Sequence, residues 1–126
     1  TGIYTCHSSV ADCGVTGRKL ACDFYGASCP IGGGSPWTKD ASKADLTLNL
    51  YARRLAVQNL ADNDEAFVYL ASCIGHPELL NAVLTTRKAD KSYDKTLSVE
   101  SRPSILIERL GLNKPVFAKF CREGLV

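Results

Sequence analysis

Residues 63–75 read Asn63-Asp64-Glu65-Ala66-Phe67-Val68-Tyr69-Leu70-Ala71-Ser72-Cys73-Ile74-Gly75, and their reading decides the fold. At a helical period, Phe67, Leu70, Ala71 and Ile74 share one face. Asn63-Asp64-Glu65 then supplies a helix start, and Gly75 a left-handed stop. On that reading the segment is the second in a series of helices.

The flanking sequence extends the series in both directions. Upstream, Asp40 serves as N-cap of a long helix reaching about Ala61. Leu48, Tyr51, Ala52, Leu55 and Asn59 share one face of it, and Leu46, Leu50, Val57 and Leu60 widen the apolar stripe. Leu46, Leu48 and Leu50 also alternate, which leaves a strand open for the first turns. Downstream, His76-Pro77-Glu78 opens a third helix carrying Leu79, Leu80, Val83 and Leu84. A polar stretch follows from Thr85 to Thr96. Ser101-Arg102-Pro103 opens a fourth helix with Ile105, Leu106, Ile107 and Leu110, closed by Gly111. Asn113-Lys114-Pro115 opens a fifth with Val116, Phe117, Phe120 and Cys121, closed by Gly124. Proline in a first helical turn sacrifices an N–H that has no partner anyway.

Residues 1–38 are of a different kind. They hold Cys6, Cys13, Cys22 and Cys29, while Cys73 and Cys121 stand far apart in the helical body. An even cysteine count in a short chain predicts three disulfides and an oxidising compartment. A Cys73–Cys121 bridge would tie the second helix to the last and contribute about 4 kcal/mol on a chain-entropy model. Residues 3–7 and 19–25 have strand-like composition and suggest a short antiparallel pair turned at Gly14 and Gly17. The expected fold is therefore α+β and mostly helical. A small disulfide-stapled N-terminal section precedes about five helices. All of it forms one domain, 1–126, divided into a Cys/Gly/Pro-rich section 1–38 and a helical body 39–126.

Bulk properties narrow the function. The composition, 45% hydrophobic and 22% charged, is that of a globular protein. No apolar run is long enough to span a membrane. The chain starts without methionine, as a processed product or an engineered fragment would, and a removed secretory signal would explain this together with the cysteines. Net charge is +2, but residues 85–126 hold nine Lys/Arg against five Asp/Glu, so the basic end is the last third.

The chemical motifs are sparse. Cysteine gaps of six or more residues do not match the tight knuckles of zinc sites, so no metal is expected. The two histidines, His7 and His76, adjoin a cysteine and a helix start, and no nucleophile or zinc-protease motif accompanies them. The glycines at 32–34 are followed by Pro36 and Trp37 where a phosphate loop needs a lysine and a hydroxyl. No catalytic residue and no cofactor are assigned. The segment Ser101–Gly124 resembles a helix-turn-helix, with Lys114, Lys119 and Arg122 on the second helix. Ile107 departs from that motif where a small residue is usual.

The most distinctive surface is Arg87, Lys88, Lys91 and Lys95, with Trp37 as a second exposed candidate. The basic residues point to contact with an acidic partner or anionic membrane headgroups, and Trp37 either anchors an interface or folds back over the helical core. The expected function is a small secreted effector- or toxin-like protein that binds a macromolecule, most simply a protein, of another organism or cell. It would be extracellular or periplasmic. The alternatives are a small secreted hydrolase with a dispersed active site and a helix-turn-helix nucleic-acid binder, with nucleic acid disfavoured as partner.

Overall fold

The computed structural model describes residues 39–123 without a break, together with residues 5–15 and positions 3, 19, 23, 24, 34 and 36. The chain divides into two compact units, Thr1–Ser35 and Pro36–Val126.

In the first unit a 3₁₀ turn, Ser8–Val10, starts behind His7 and is closed by the Ala11 N–H donating to the Ser8 carbonyl at 3.1 Å. The Asp12 carboxylate accepts from the Gly14 N–H at 3.2 Å. The Asp23 N–H donates to the Lys19 carbonyl at 2.9 Å, and Asp23 and Phe24 are helical. The antiparallel pair expected across residues 3–7 and 19–25 is thus absent among the described residues. An i to i−4 bond forms there instead.

The second unit is an antiparallel meander with helices on one face. Its elements are α1 (Ala44–Leu60), β1 (Glu65–Ala71), β2 (Asn81–Lys88), β3 (Lys91–Thr96), α2 (Pro103–Arg109) and α3 (Phe117–Glu123). The sheet order is β1-β2-β3. In register, Val68 faces Leu84 and Leu70 faces Ala82. These four residues lie on the side that meets α1. Val68 and Leu70 pack against the buried cluster of Tyr51, Leu55 and Leu106, while Ala82 and Leu84 are buried in their own right. A second cluster joins Leu46 and Leu50 of α1 to Leu112, with Ile107, Val116 and Phe120 against it.

The second and third expected helices are therefore strands. Residues 65–71, EAFVYLA, also alternate: Ala66, Val68 and Leu70 point to α1, while Phe67 and Tyr69 point away. A helical stripe and a strand face share Leu70, so the helical count was satisfied by residues that a pleat separates. Gly75 misled for a related reason. Its positive φ of 90° closes a turn, with the His76 N–H donating to the Cys73 carbonyl at 3.0 Å, rather than a helix. Type II turns and helix C-caps both want glycine there. About five helices thus reduce to three α-helices among the described residues, beside one three-stranded sheet.

Gly111, at φ 67°, does close a helix. The Leu112 N–H donates to the Ile107 carbonyl at 2.9 Å and the Gly111 N–H to the Glu108 carbonyl at 3.0 Å, the paired bonds of a Schellman motif. Ile107 and Leu112 then pack in one cluster, which turns the chain back onto α1.

Among the described residues the predicted staples are also absent. Cys6, Cys13, Cys73 and Cys121 are exposed free thiols, and Cys22 and Cys29 lie outside the described residues. Cys73 sits in the β1–β2 connection and Cys121 on α3, so neither clamps one helix to another. Burial of Leu46 and Leu106, both fully inaccessible, holds the helices instead.

Candidate functional site

The residues entering α1 form the most organised polar cluster of the second unit. Asp40 opens a turn, its Oδ1 accepting from the Ser42 N–H at 2.8 Å and from the Ser42 hydroxyl. Those two bonds, first the hydroxyl and then the backbone, hold the Asp40 carboxyl below the usual aspartate range. Lys39 Nζ lies 3.2 Å from Asp45 Oδ2, with both side chains a little more than a third exposed. The buried Thr47 hydroxyl donates to the Ala41 carbonyl at 2.6 Å, which ties the turn to the helix. Asn49 Nδ2 donates to the Asp45 carbonyl.

The helix start itself is unusual. Lys43 occupies the N-cap, in extended conformation, and its side chain makes no capping bond. Its carbonyl accepts from the Leu46 and Thr47 N–H groups, both at 3.1 Å. The first-turn N–H groups of Ala44 and Asp45 gain no side-chain cap. A helix N-terminus carries partial positive charge, and a cation is among the poorest N-caps. Two lysines near that end add positive charge to it, the kind an anion requires, against the negative charges of Asp40 and Asp45. Asp45 offsets part of this charge and fixes the Lys39 ammonium. The arrangement can hold a phosphate-like group; it contains no general base.

Two other places hold polar groups of interest. An open cleft of about 510 Å³ lies between residues 78–82 and 96–102. Of its two carboxylates, Glu78 and Glu100, the second is already engaged. Glu100 Oε1 accepts from the Ser101 and Arg102 N–H groups at 3.1 and 3.0 Å and from Arg102 Nε at 3.3 Å. The Arg102 backbone bond leads in drawing its carboxyl below the ordinary value. Tyr51 is buried beside Arg109, and burial raises its phenol above the ordinary value. Glu100 thus orders the entry to α2, and Tyr51 serves the packing of α1 against Leu106. Among the described residues no group of three or more His, Cys, Asp or Glu converges as metal ligands would.

The sequence-predicted contact residues separate. Arg87 points to the face away from α1, pairs with Glu65 Oε2 at 3.1 Å, and its guanidinium stands 5.0 Å over the Phe67 ring. Lys88, Lys91 and Lys95 fall on the opposite face. Trp37 lies outside the described residues. His7 and His76 are both exposed, one in each unit. Around Gly111, α2 and α3 do form a helical corner, but Val116 and Phe120 pack toward α1.

Lys39, Lys43 and Asp45 are not evident from the sequence because Asp40 alone satisfies the pattern of a helix cap. The signal was present: a three-glycine run followed within a few residues by Lys-Asp-x-Ser-Lys-x-Asp at a helix start. The lysine and hydroxyl sought immediately after the glycines arrive a few residues later.

Comparison with known proteins gives a consistent family. Residues 6–126 match the family described as S-adenosylmethionine synthetase, C-terminal domain. The S-adenosylmethionine synthase of Brachyspira hyodysenteriae is 34% identical over 132 residues, covering 98% of this chain and 34% of that protein. That of Helicobacter hepaticus is 35% identical over 133 residues, covering 98% of this chain and 34% of its own length. That of Helicobacter pylori (strain Shi470) is 36% identical over 127 residues, covering 94% and 33%. The chain thus spans about a third of the length of the curated relatives it matches. No solved structure matches it.

These findings overturn the effector or toxin expectation, with its hydrolase and helix-turn-helix alternatives. Relatives matching nearly the whole chain carry the name of a metabolic synthase. The secreted placement falls with them, since it rested on disulfides and the four described cysteines are free thiols.

Proposed function

The chain belongs to the S-adenosylmethionine synthetase C-terminal domain family, and from that premise we propose that it contributes an anion-holding site to the making of S-adenosylmethionine. The observation that carries this reading is the start of α1, where Lys39 and Lys43 flank an N-terminus that lacks a side-chain cap. The product joins an adenosyl carbon to a methionine sulfur. The sulfur lone pair forms the new C–S bond, and the group leaving carbon departs with the old bonding pair as an anion. Preorganised positive charge facing that group lowers the barrier to its departure. Lys39, held by Asp45, and Lys43 at the helix end supply such charge, and the Thr47–Ala41 bond keeps the turn in place.

Two measurements test this reading. In the first, the chain replaces the matching third of the Helicobacter hepaticus enzyme, and S-adenosylmethionine formation is followed by chromatography. The chimera is expected to turn over, and Lys39→Ala or Lys43→Ala to lower kcat by about a hundredfold, the scale of losing one charge-stabilising donor. In the second, inorganic pyrophosphate is titrated into the 126-residue chain by calorimetry. Binding that Lys39→Ala/Lys43→Ala leaves intact, or no binding at all, would reject the site.

A further inference from the structure

Among the described residues β3 is an edge strand, exposed along its whole length. Its side chains sort by sign of charge. Lys91, Tyr93 and Lys95 lie opposite Lys88, Thr86 and Leu84 on β2, on the face that carries α1. Asp94 points to the other face, where its Oδ1 accepts from the Thr85 hydroxyl at 2.7 Å. Among the described residues no carboxylate pairs with Lys88, Lys91 or Lys95, and Tyr93 between them is 58% exposed. The strand therefore presents a lysine–tyrosine–lysine row with its acidic residue turned away.

The backbone adds direction. The Leu97 N–H donates to the Ala82 carbonyl at 2.8 Å, which continues the β2–β3 ladder one pair beyond β3. Bonded pairs alternate in an antiparallel ladder, so the N–H and C=O groups of Lys91, Tyr93 and Lys95 face β2. Those of Ser92, Asp94 and Thr96 face outward. A strand added antiparallel to this edge would bond to Ser92, Asp94 and Thr96. It would meet Lys91, Tyr93 and Lys95 as non-hydrogen-bonded pairs, in which side chains approach most closely.

We propose that β3 is a docking edge for an extended acidic segment of a partner protein, added as a fourth strand. Its carboxylates would stand opposite Lys91 and Lys95, with an apolar residue over Tyr93. The recognition pattern is acidic-x-apolar-x-acidic at period two. Edge lysines also serve to repel other strands in general. Here that charge rejects neutral or basic strands and accepts an acidic one. The backbone-directed geometry and the nearby Asp90 and Asp94 favour a protein strand over a nucleic acid.

The test is fluorescence anisotropy with the full chain and a labelled peptide whose core is Glu-Thr-Val-Thr-Glu. Two controls are the permuted Thr-Glu-Val-Glu-Thr, which places its carboxylates beside Asp94, and a single-stranded RNA of ten nucleotides. The first peptide should bind saturably and the permuted one about tenfold more weakly, as expected for two cross-strand charge pairs gained or lost. Lys91→Glu/Lys95→Glu should abolish binding. Ser92→Pro removes an outward N–H, which an edge strand tolerates, and should also weaken binding while all lysines remain. Circular dichroism checks that both variants stay folded. If Ser92→Pro unfolds the chain, Ser92 N-methylation in a semisynthetic chain replaces it. Equal binding of the two peptides would overturn the proposal, as would tighter binding of RNA than peptide. An absence of peptide binding would leave the lysines as edge guards alone and overturn it too.

Discussion

Lys43→Asp should stabilise the protein while weakening anion binding. Lys43 sits at the N-cap of α1 and makes no capping bond. An aspartate there can accept from the Asp45 or Leu46 N–H, and replacing a poor cap by a good one is worth about 1 kcal/mol. Reversing the charge at the positive helix end adds about 0.5 kcal/mol. Repulsion from Asp40 and Asp45 removes part of this, because Lys43 helps keep the Asp40 carboxyl ionised. The net is a gain of about 1 kcal/mol, or roughly 4 °C in Tm for a domain of this size. Lys43→Ser should gain most of the cap and none of the charge reversal. Thermal melts followed by circular dichroism, with reductant present, give the stability order Asp, then Ser, then Lys. Pyrophosphate titration should give the reverse order of affinity. A Lys43→Asp variant no more stable than the parent would refute the account of the helix start. One that is more stable and binds pyrophosphate unchanged would remove Lys43 from the site.

Leu106→Ala should destabilise by about 3 kcal/mol, since Leu106 is 0% exposed between α1 and the sheet. Leu80→Ala, at 65% exposed, should shift the urea midpoint little. In acid, the lowered carboxyls of Asp40 and Glu100 make a contribution that is complete above their ordinary values of 3.8 and 4.5. That contribution fades as pH falls through the lower folded values, so Glu100→Gln should flatten the fall in Tm below about pH 4.5. A native thiol titration without reductant should find at least the four exposed cysteines reactive, and fewer than four would contradict their free state.

Legibility in the sequence followed how local each signal was. Pro103 and Gly111 bound α2 through bonds among neighbours, and the sequence carries both. β1 is specified by what lies across from it. Val68 finds Leu84 and Leu70 finds Ala82 only once β2 is in place. A single segment of seven residues with Leu70 in either stripe cannot express that pairing, and a helical count absorbed it. The hairpin turn was hidden for the same reason. Ala89 adopts φ 51° without being glycine, held by its N–H donating to Asp64 Oδ2 at 2.7 Å across 25 positions. The candidate site failed differently. Its parts are contiguous, but Asp40 has the residue type of a cap and Lys43, which occupies the N-cap, does not. An even cysteine count is compositional and carries no geometry, and the four described cysteines do not pair.

The meander and its helical cover differ in how far the chain must travel to form them. β2 and β3 join through two residues, and β1 lies nine residues before β2. The cover requires Arg54 of α1 to donate to the Arg109 carbonyl, 55 positions away, and Leu106 to reach Tyr51. Local contacts close quickly and distant ones late. The sheet can therefore assemble as successive hairpins, with α2 arriving last as a latch. Loosening the latch at Leu106 would then act mainly on how fast the molecule opens, leaving its rate of folding nearly unchanged.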